Sequence, residues 1–279
     1  MGHNILDYPR SPLKERLKGF IYRGWDHYLA AGSRAREYLL SLRIPSESIT
    51  ICGNPVDSHF WENAVDRTEQ TSAQRNFLFV ERPVWQKNVR ALLEAYRDYR
   101  RLGGSFNLAL AGFEASDFEN EALPFDQPGV RLLGCLPEKR LVEAYGQAGC
   151  LVLPSLVEPW GLVVNEAMHT GLPAIVSSVC GCVPELLQNR RSGLIVDPRR
   201  TQDIPRALLE FSQLSTHQRR MMAQSAQLAV SEQTPEAWSR KAAEALQSLP
   251  GLRQSADEPA RVETSTSDPD GHESVRLTP

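Results

Sequence analysis

The stretch of sequence that decides the fold runs from residue 158 to residue 173 and reads EPWGLVVNEAMHTGLP. Two carboxylates, Glu158 and Glu166, are separated by seven residues, and Glu166 lies in an otherwise apolar run. Because Pro159 and Gly161 follow Glu158, the spacing predicts a loop at Glu158 and a helix that contains Glu166 one turn inside its start. The Gly-Leu-Pro at the end of the stretch predicts where this helix stops.

The start of this helix also predicts a binding site. Backbone amides at Gly161 and Leu162 lack intrahelical partners, and with the positive end of the helix dipole they attract an anion such as phosphate. The carboxylates of Glu158 and Glu166 can accept hydrogen bonds from the hydroxyls of a sugar or a ribose. Together these four residues predict a cradle for a sugar nucleotide. The alternative is structural, with Glu158 capping the helix and Glu166 hydrogen-bonded at a partly buried helix start.

Residues 158–168, EPWGLVVNEAM, resemble the E-x7-E motif of the retaining glycosyltransferases of family 4, also called glycosyl transferases group 1. From about Asp26 to Leu249 the order of features is similar to the back half of such an enzyme. The resemblance implies a GT-B fold, in which two Rossmann-like domains close on a nucleotide sugar. It also implies that Glu158 is a catalytic residue that holds the sugar hydroxyls, and that Glu166 holds the ribose.

The pattern around this motif predicts an α/β fold. Short apolar strands, predicted at 77–80, 106–111, 130–133, 150–153, 174–177 and 193–196, alternate with helical segments. Such alternation indicates βαβ units and a Rossmann-like parallel sheet with helices on both faces. Asn88 is predicted to cap the first helix of this unit, and Ser215 with Gln218 to form a capping box on a later helix.

Four segments are predicted along the chain. Residues 1–53 hold a basic amphipathic helix, a strand, a helix and a strand, and the resemblance makes them a remnant of an incomplete N-terminal (acceptor) domain. Residues 54–75 are a polar linker, and residues 76–249 form the domain that binds the nucleotide sugar. Residues 250–279 have no aromatic residue and an acidic, Ser/Thr/Pro-rich composition, which predicts disorder.

Composition excludes several classes of function. The chain has 279 residues, 41% hydrophobic and 23% charged, which is typical of globular proteins, and its net charge of -3 disfavours nucleic-acid binding. Its five cysteines lack paired C-x-x-C spacing, which disfavours zinc and favours reduced thiols in the cytoplasm. No run of apolar residues is long enough for a membrane span. The basic helix near residues 9–25 either contacts anionic lipid at the inner membrane face or presents a solvated surface.

The segment from Val80 to Asn88 reads VERPVWQKN and closes the first strand of the second domain. Ligands bind at the carboxyl ends of parallel strands. Arg82 can therefore form a bidentate hydrogen bond with a diphosphate, while Lys87 contributes a point charge. By resemblance, this pair neutralises the leaving diphosphate without a metal. The alternative is a pair of solvated surface cations. Glu81 stands where the family usually has Gly, and its carboxylate would repel the donor unless it points into solvent.

Two further candidates rest on the resemblance alone. Backbone around Cys135 and Leu136 would meet the nucleotide base, although their composition indicates only a strand-to-helix turn. Because backbone contacts do not depend on the side chains, the sequence does not distinguish a UDP-linked donor from a GDP-linked donor. His3 resembles a histidine that related enzymes hold near the reacting sugar, while the alternative is a disordered N-terminus.

The resemblance predicts a transferase that moves a sugar, with retention, from a nucleotide-diphosphate donor to a hydroxyl on a saccharide or lipid-linked acceptor. The expected pathway class is synthesis of cell-surface polysaccharide or glycolipid, with no metal or other cofactor. Two alternatives stay open: a truncated module that binds a sugar nucleotide without turning it over, and one subunit of a split transferase that a partner chain completes. An NAD-dependent oxidoreductase is set aside, because no G-x-G-x-x-G follows the first strand.

Overall fold

The computed structural model describes residues 5–6, 10–63, 74–114 and 126–249. Its first unit comprises helix α1 (Pro12–Tyr22), strand β1 (Tyr28–Ala30), helix α2 (Ser33–Ser41) and strand β2 (Ile49–Ile51). The two strands pair in parallel, and α2 covers them with the fully buried side chains of Tyr38 and Leu39. Helix α1, in contrast, exposes the large apolar side chains of Leu13, Leu17, Phe20 and Ile21, and Trp25 in the turn after α1 is exposed as well.

The second unit is built on a six-stranded sheet. Its strands are β3 (Asn76–Val80), β4 (Asn107–Ala111), β5 (Val130–Gly134), β6 (Cys150–Leu153), β7 (Ala174–Ser177) and β8 (Gly193–Val196). They are ordered β5–β4–β3–β6–β7–β8, and each neighbouring pair is parallel. The predicted α/β class with a Rossmann-like parallel sheet is therefore confirmed.

Helices cover both faces of this sheet. They are α4 (Val89–Arg101), α5 (Glu138–Gly146), α6 (Leu162–His169), α7 (Val183–Leu186), α8 (Asp203–Gln213) and α9 (Thr216–Val230). The last helix, α10 (Pro235–Gln247), instead packs against β2 of the first unit. Successive side chains of a strand point to opposite faces. Accordingly Phe77 and Phe79 pack with α4 and α8 on one face, whereas Leu78 packs with α5 and α6 on the other.

Three local predictions have different outcomes. The capping box of Ser215 and Gln218 at the start of α9 is confirmed. The prediction that Asn88 caps α4 is wrong: Asn88 adopts a left-handed conformation (φ 59°), and its side-chain amide instead donates to Pro154 O at 3.1 Å. Asparagine tolerates this conformation, whereas a capping residue is normally extended. As a result, Asn88 joins the start of α4 to the end of β6.

The predicted linker contains a helix, α3 (Ser58–Asn63). Its Trp61 is buried and packs edge-on against Tyr145 of α5, with ring centroids 5.5 Å apart. Phe60 and Trp61 are adjacent in sequence, so they lack the helical spacing by which a helix is predicted. His3 and the predicted disordered tail, residues 250–279, lie outside the described residues.

The first unit contacts the second through the first turn of α2. The guanidinium of Arg34 donates to the carbonyl oxygens of Cys180 and Ser178, the latter at 2.6 Å. The amide of Ser33 donates to the carboxylate of Glu185 at the short helix α7. Within the described parts of the chain, no helix is long and apolar enough to cross a membrane.

Candidate functional site

The candidate site lies where the order of the parallel sheet reverses. Strands β4 and β5 follow on one side of β3, and β6, β7 and β8 follow on the other. Open parallel sheets bind ligands at the carboxyl ends of the strands beside such a switch point. Here Glu81 and Arg82 follow β3, and Glu158 lies in the loop after β6. The fold thus brings residues more than seventy positions apart to one edge of the sheet.

Lys87 joins the two loops at this edge. Its Nζ lies 2.6 Å from Glu158 Oε2 and also donates to Glu81 Oε1. The three side chains are only 16%, 7% and 17% exposed for Lys87, Glu158 and Glu81. Two predicted site residues, Lys87 and Glu158, are therefore in direct contact, and Glu81 points toward them rather than into solvent.

The carboxylates of Glu158 and Glu81 share the ammonium group of Lys87, and this arrangement shifts the pKa values in the cluster. Burial alone would lower the pKa of Lys87, but Glu158 and Glu81 raise it above its usual 10.5. Burial raises the pKa of Glu158 above its usual 4.5; Lys87 opposes this shift and the charge of Glu81 adds to it. The cluster therefore carries an excess negative charge when all three groups are ionised.

Backbone contacts hold the loop of Glu158 in place. Its neighbours Leu156 and Val157 donate amides to Gln86 O at 2.8 and 3.3 Å, and Glu158 O accepts from Gly181 N at 3.0 Å. A Cβ at Gly181 would lie only 1.8 Å from Pro159 O, so this close approach requires glycine. The loop is thus fixed from both sides, which orients the carboxylate of Glu158 without help from a ligand.

The helix that follows begins as the spacing of the glutamates predicts. Gly161 precedes α6 in a left-handed conformation (φ 101°), and Leu162, its first residue, is 43% exposed. Glu166 lies just over one turn inside α6 and is half-buried, with Oε2 accepting a 2.7 Å hydrogen bond from Tyr145 Oη. Burial raises the pKa of Glu166 above 4.5; the bond from Tyr145 opposes this, and the charge of Glu81 adds to it.

A cavity of about 230 Å³ opens beside the lysine cluster. Its lining includes Arg82 and Glu81 after β3, Cys135 and Leu136 after β5, and Val163 from the first turn of α6. Arg82 and Cys135 are exposed, and the Cys135 amide donates to Glu114 Oε1 at 3.2 Å. The cavity thus combines a guanidinium, a helix start and apolar side chains.

The fold brings the predicted site residues together in three neighbouring groups: Lys87 with Glu158; Arg82 with Cys135 and Leu136; and Gly161, Leu162 and Glu166 at the start of α6. The ligands of each of these residues stay predictions, and so does the role of His3. Sequence reasoning missed Tyr145 as the partner of Glu166. No local signal identifies it, because Tyr145 lies on another helix, 21 residues away.

In the part of the chain that the structure covers, no group of three His, Cys, Asp or Glu side chains could hold a metal ion. A diphosphate fits the reach of Arg82 and the open amides at the start of α6, and hydroxyl groups fit the carboxylates of Glu158 and Glu166.

The sequence is similar to those of known glycosyltransferases. The sequence profile of the glycosyl transferases group 1 family matches residues 62–248. The chain is 25% identical over 216 residues to the amylovoran biosynthesis glycosyltransferase AmsK of Erwinia amylovora, covering 74% of this chain and 50% of that protein. It is 31% identical over 151 residues to an uncharacterized glycosyltransferase of Methanocaldococcus jannaschii, covering 52% and 38%. The chain thus spans half or less of the length of these relatives.

Solved structures share the fold. HepE of Anabaena, in complex with UDP-glucose, superposes with a TM-score of 0.71 at 17% identity, covering 88% of this chain and 71% of that chain. A glycosyltransferase of Rickettsia africae superposes with a TM-score of 0.70 at 17% identity, covering 86% and 68%. At this identity the likeness establishes a common architecture.

Proposed function

Because the chain belongs to the glycosyl transferases group 1 family, we propose that it is the donor-binding part of a retaining glycosyltransferase. In this proposal a sugar moves from a nucleoside diphosphate to a hydroxyl acceptor. The observation that carries it is the contact between Lys87 and Glu158 beside the cavity that Arg82 lines. Cations for a diphosphate and a carboxylate for sugar hydroxyls then lie next to each other at the edge of the sheet where ligands bind.

Each residue has a defined role in this proposal. Arg82, Lys87 and the amides of Gly161 and Leu162 stabilise the negative charge that develops on the leaving diphosphate. Glu158 accepts hydrogen bonds from the sugar hydroxyls and fixes the anomeric carbon. Glu166, held by Tyr145, accepts the ribose hydroxyls, and the backbone at Cys135 and Leu136 contacts the base.

The proposed reaction is a transfer with retention. The bond between the anomeric carbon and the diphosphate oxygen breaks while the acceptor hydroxyl attacks from the same face of the sugar, and the departing diphosphate oxygen takes the hydroxyl proton, so the anomeric configuration is retained. Arg82 and the helix start receive the leaving diphosphate in place of a metal. His3 is proposed to approach the reacting sugar from the first domain.

The proposed donor is UDP- or GDP-linked, and the proposed acceptor is a saccharide or a lipid-linked saccharide. The proposed setting is polysaccharide or glycolipid synthesis in the cytoplasm at the inner membrane face. The curated relative AmsK, which is named for amylovoran biosynthesis, supports this setting. HepE, solved with UDP-glucose, supports UDP as the first nucleotide to test.

A second candidate function is nucleotide-sugar binding without turnover, either as a module or as one subunit of a split transferase. The exposed apolar side chains on α1 and in the turn after it favour this function, because Leu13, Phe20 and Trp25 are more than 60% exposed and would be covered by further protein. In the part of the first unit that the structure describes, the sheet has two strands, whereas a parallel sheet is normally larger and covered on both faces.

Calorimetric titration with UDP, GDP and the matching nucleosides tests the proposed donor site. Binding of one diphosphate, far tighter than binding of its nucleoside, supports the phosphate contacts. The preferred nucleotide identifies the donor sugars to assay for transfer. If none of these ligands gives a measurable heat of binding, the proposal is contradicted.

A further inference from the structure

Glu81 is the one carboxylate in the lysine cluster to which the proposed reaction gives no role. It follows β3, lines the cavity beside Arg82, and accepts a hydrogen bond from Lys87 Nζ. Its side chain is 17% exposed, so it lies within the candidate site and not on the outer surface.

We propose that Glu81 is an internal competitor of the donor diphosphate and sets how strongly the site selects for phosphate charge. In the donor-free protein the Glu81 carboxylate accepts a hydrogen bond from Lys87. A bound diphosphate replaces Glu81 as the acceptor for part of that interaction. This inference rests on the proposed function, namely that the cavity between Arg82 and α6 binds a nucleoside diphosphate.

The charges of the cluster support this role. An ammonium group has three hydrogen-bond donors, and Lys87 gives two of them to Glu158 and Glu81. With one cation and two carboxylates, the cluster presents a net negative charge to any anion in the cavity. Glu158 is less exposed than Glu81, 7% against 17%, and its Oε2 also accepts from Ser155 Oγ at 3.4 Å, so Glu81 is the partner that leaves Lys87 more easily when an anion arrives.

The influence of Glu81 extends across the site. Its charge contributes to the raised pKa values of Glu158, Glu166 and Tyr145, after the larger effect of burial. These residues follow β6 or belong to α6 and α5, so the charge of Glu81 reaches three elements around the site. A neutral side chain at position 81 would therefore reduce the repulsion that an anion meets beside Lys87.

A second role for Glu81 predicts the opposite effect. If Glu81 only holds Lys87 in the orientation that the donor needs, its loss lets Lys87 move and weakens donor binding. The sign of the change in affinity therefore separates competition from positioning.

The decisive variant is Glu81→Gln, which removes the charge but keeps a carbonyl oxygen that can accept from Lys87. Calorimetry should show that it binds the preferred nucleoside diphosphate, UDP or GDP, about tenfold more tightly than the parent. The gain should be smaller for the monophosphate and absent for the nucleoside. Glu81→Gly, which removes the side chain, should show the same order of gains.

Two controls complete the experiment. Glu94→Gln changes the net charge equally at an exposed residue on α4, away from Lys87 and Glu166, and it should leave affinity within twofold of the parent. In a Lys87→Met background the gain from Glu81→Gln should be smaller than in the parent, because the part that comes from competition for Lys87 is gone and only charge repulsion remains. Thermal unfolding of each variant verifies that it is folded.

Unchanged or weaker diphosphate binding by both folded Glu81 variants, with a parent that binds, overturns the inference and leaves the proposed function standing. An equal gain for nucleoside and diphosphate also overturns it, because the effect would not depend on phosphate charge. Failure of the parent and all variants to bind any nucleotide contradicts the proposed function itself, and the inference with it.

Discussion

Lys87 Nζ lies 2.6 Å from Glu158 Oε2, and the two side chains are 16% and 7% exposed. This contact joins the loop after β3 to the loop after β6 across the point where the sheet order reverses. Amides of Leu156 and Val157 that bond to Gln86 O reinforce the same junction. The pair is therefore part of the fold as well as of the candidate site, and changes to it will alter stability and binding together.

Lys87→Ala should lower the free energy of unfolding by about 3 kcal/mol, because removal of one partner leaves a buried charge without its main counter-ion. Denaturant titration followed by circular dichroism measures this change. Lys139→Ala, at an exposed lysine on α5, is the control and should change stability by less than about 0.5 kcal/mol. Equal stabilities for the two variants would show that the Lys87–Glu158 pair contributes little.

The same pair predicts a loss of stability at alkaline pH. Its carboxylates raise the pKa of Lys87 in the folded protein above the usual 10.5. Because a raised folded pKa stabilises the protonated form, this contribution is complete below pH 10.5 and disappears as the pH rises through the folded value. Denaturant titrations in that range should show a steeper decline for the parent than for Lys87→Met. Parallel declines would contradict the prediction.

Arg82→Ala should weaken binding of the preferred nucleoside diphosphate by about 2 kcal/mol, roughly thirtyfold, with no change in stability. Arg82 is exposed and lines the cavity, so its loss removes a charge-assisted contact and leaves the core intact. Arg97→Ala, an exposed arginine on α4, is the matched control. Calorimetry that gives the parent's affinity for Arg82→Ala would remove Arg82 from the phosphate site.

The sequence predicts the sheet well, because buried parallel strands are continuous apolar runs. The predicted strands 150–153, 174–177 and 193–196 match β6, β7 and β8 residue for residue. Asn88 is wrongly predicted, since a left-handed residue before a helix has no signature that separates it from an extended cap. The spacing of Glu158 and Glu166 predicts their placement because it is local. The contacts of Lys87 with Glu158 and of Tyr145 with Glu166 depend on tertiary packing, and no sequence spacing encodes them.

Donor affinity should fall as the pH falls, and it should do so before an ordinary glutamate is protonated. Burial raises the pKa of Glu166 above 4.5, and a protonated Glu166 accepts ribose hydroxyls less well. Calorimetry from neutral to mildly acidic pH should show a steeper loss of affinity for the parent than for Glu166→Gln, which lacks the titrating group. Identical profiles would show that Glu166 does not bind the donor in its ionised form.

Chelators should not change donor binding. Arg82, Lys87 and the amides of Gly161 and Leu162 supply positive charge for a diphosphate, and the sequence has no Asp-x-Asp near this site; Asp268-Pro-Asp270 lies in the C-terminal segment. Titrations with UDP and GDP after EDTA treatment should match those in the presence of manganese. Affinity that EDTA abolishes and manganese restores would contradict metal-independent binding.

The last prediction concerns transfer by residues 1–279 alone. In the proposed reaction the acceptor hydroxyl must be held against the anomeric carbon, and such positioning supplies a large part of the lowered barrier. Among the described residues the first unit has two paired strands, and Phe20 on α1 and Trp25 just after it are 73% and 64% exposed. We therefore expect this chain to bind the donor but to transfer almost no sugar, and activity to appear when further sequence or a partner chain covers α1. Assays with the matching labelled nucleotide sugar, with Glu158→Gln as the inactive control, measure this. Robust transfer by residues 1–279 that Glu158→Gln abolishes would show that the two-stranded unit suffices for acceptor binding, and would leave the role of Glu158 intact.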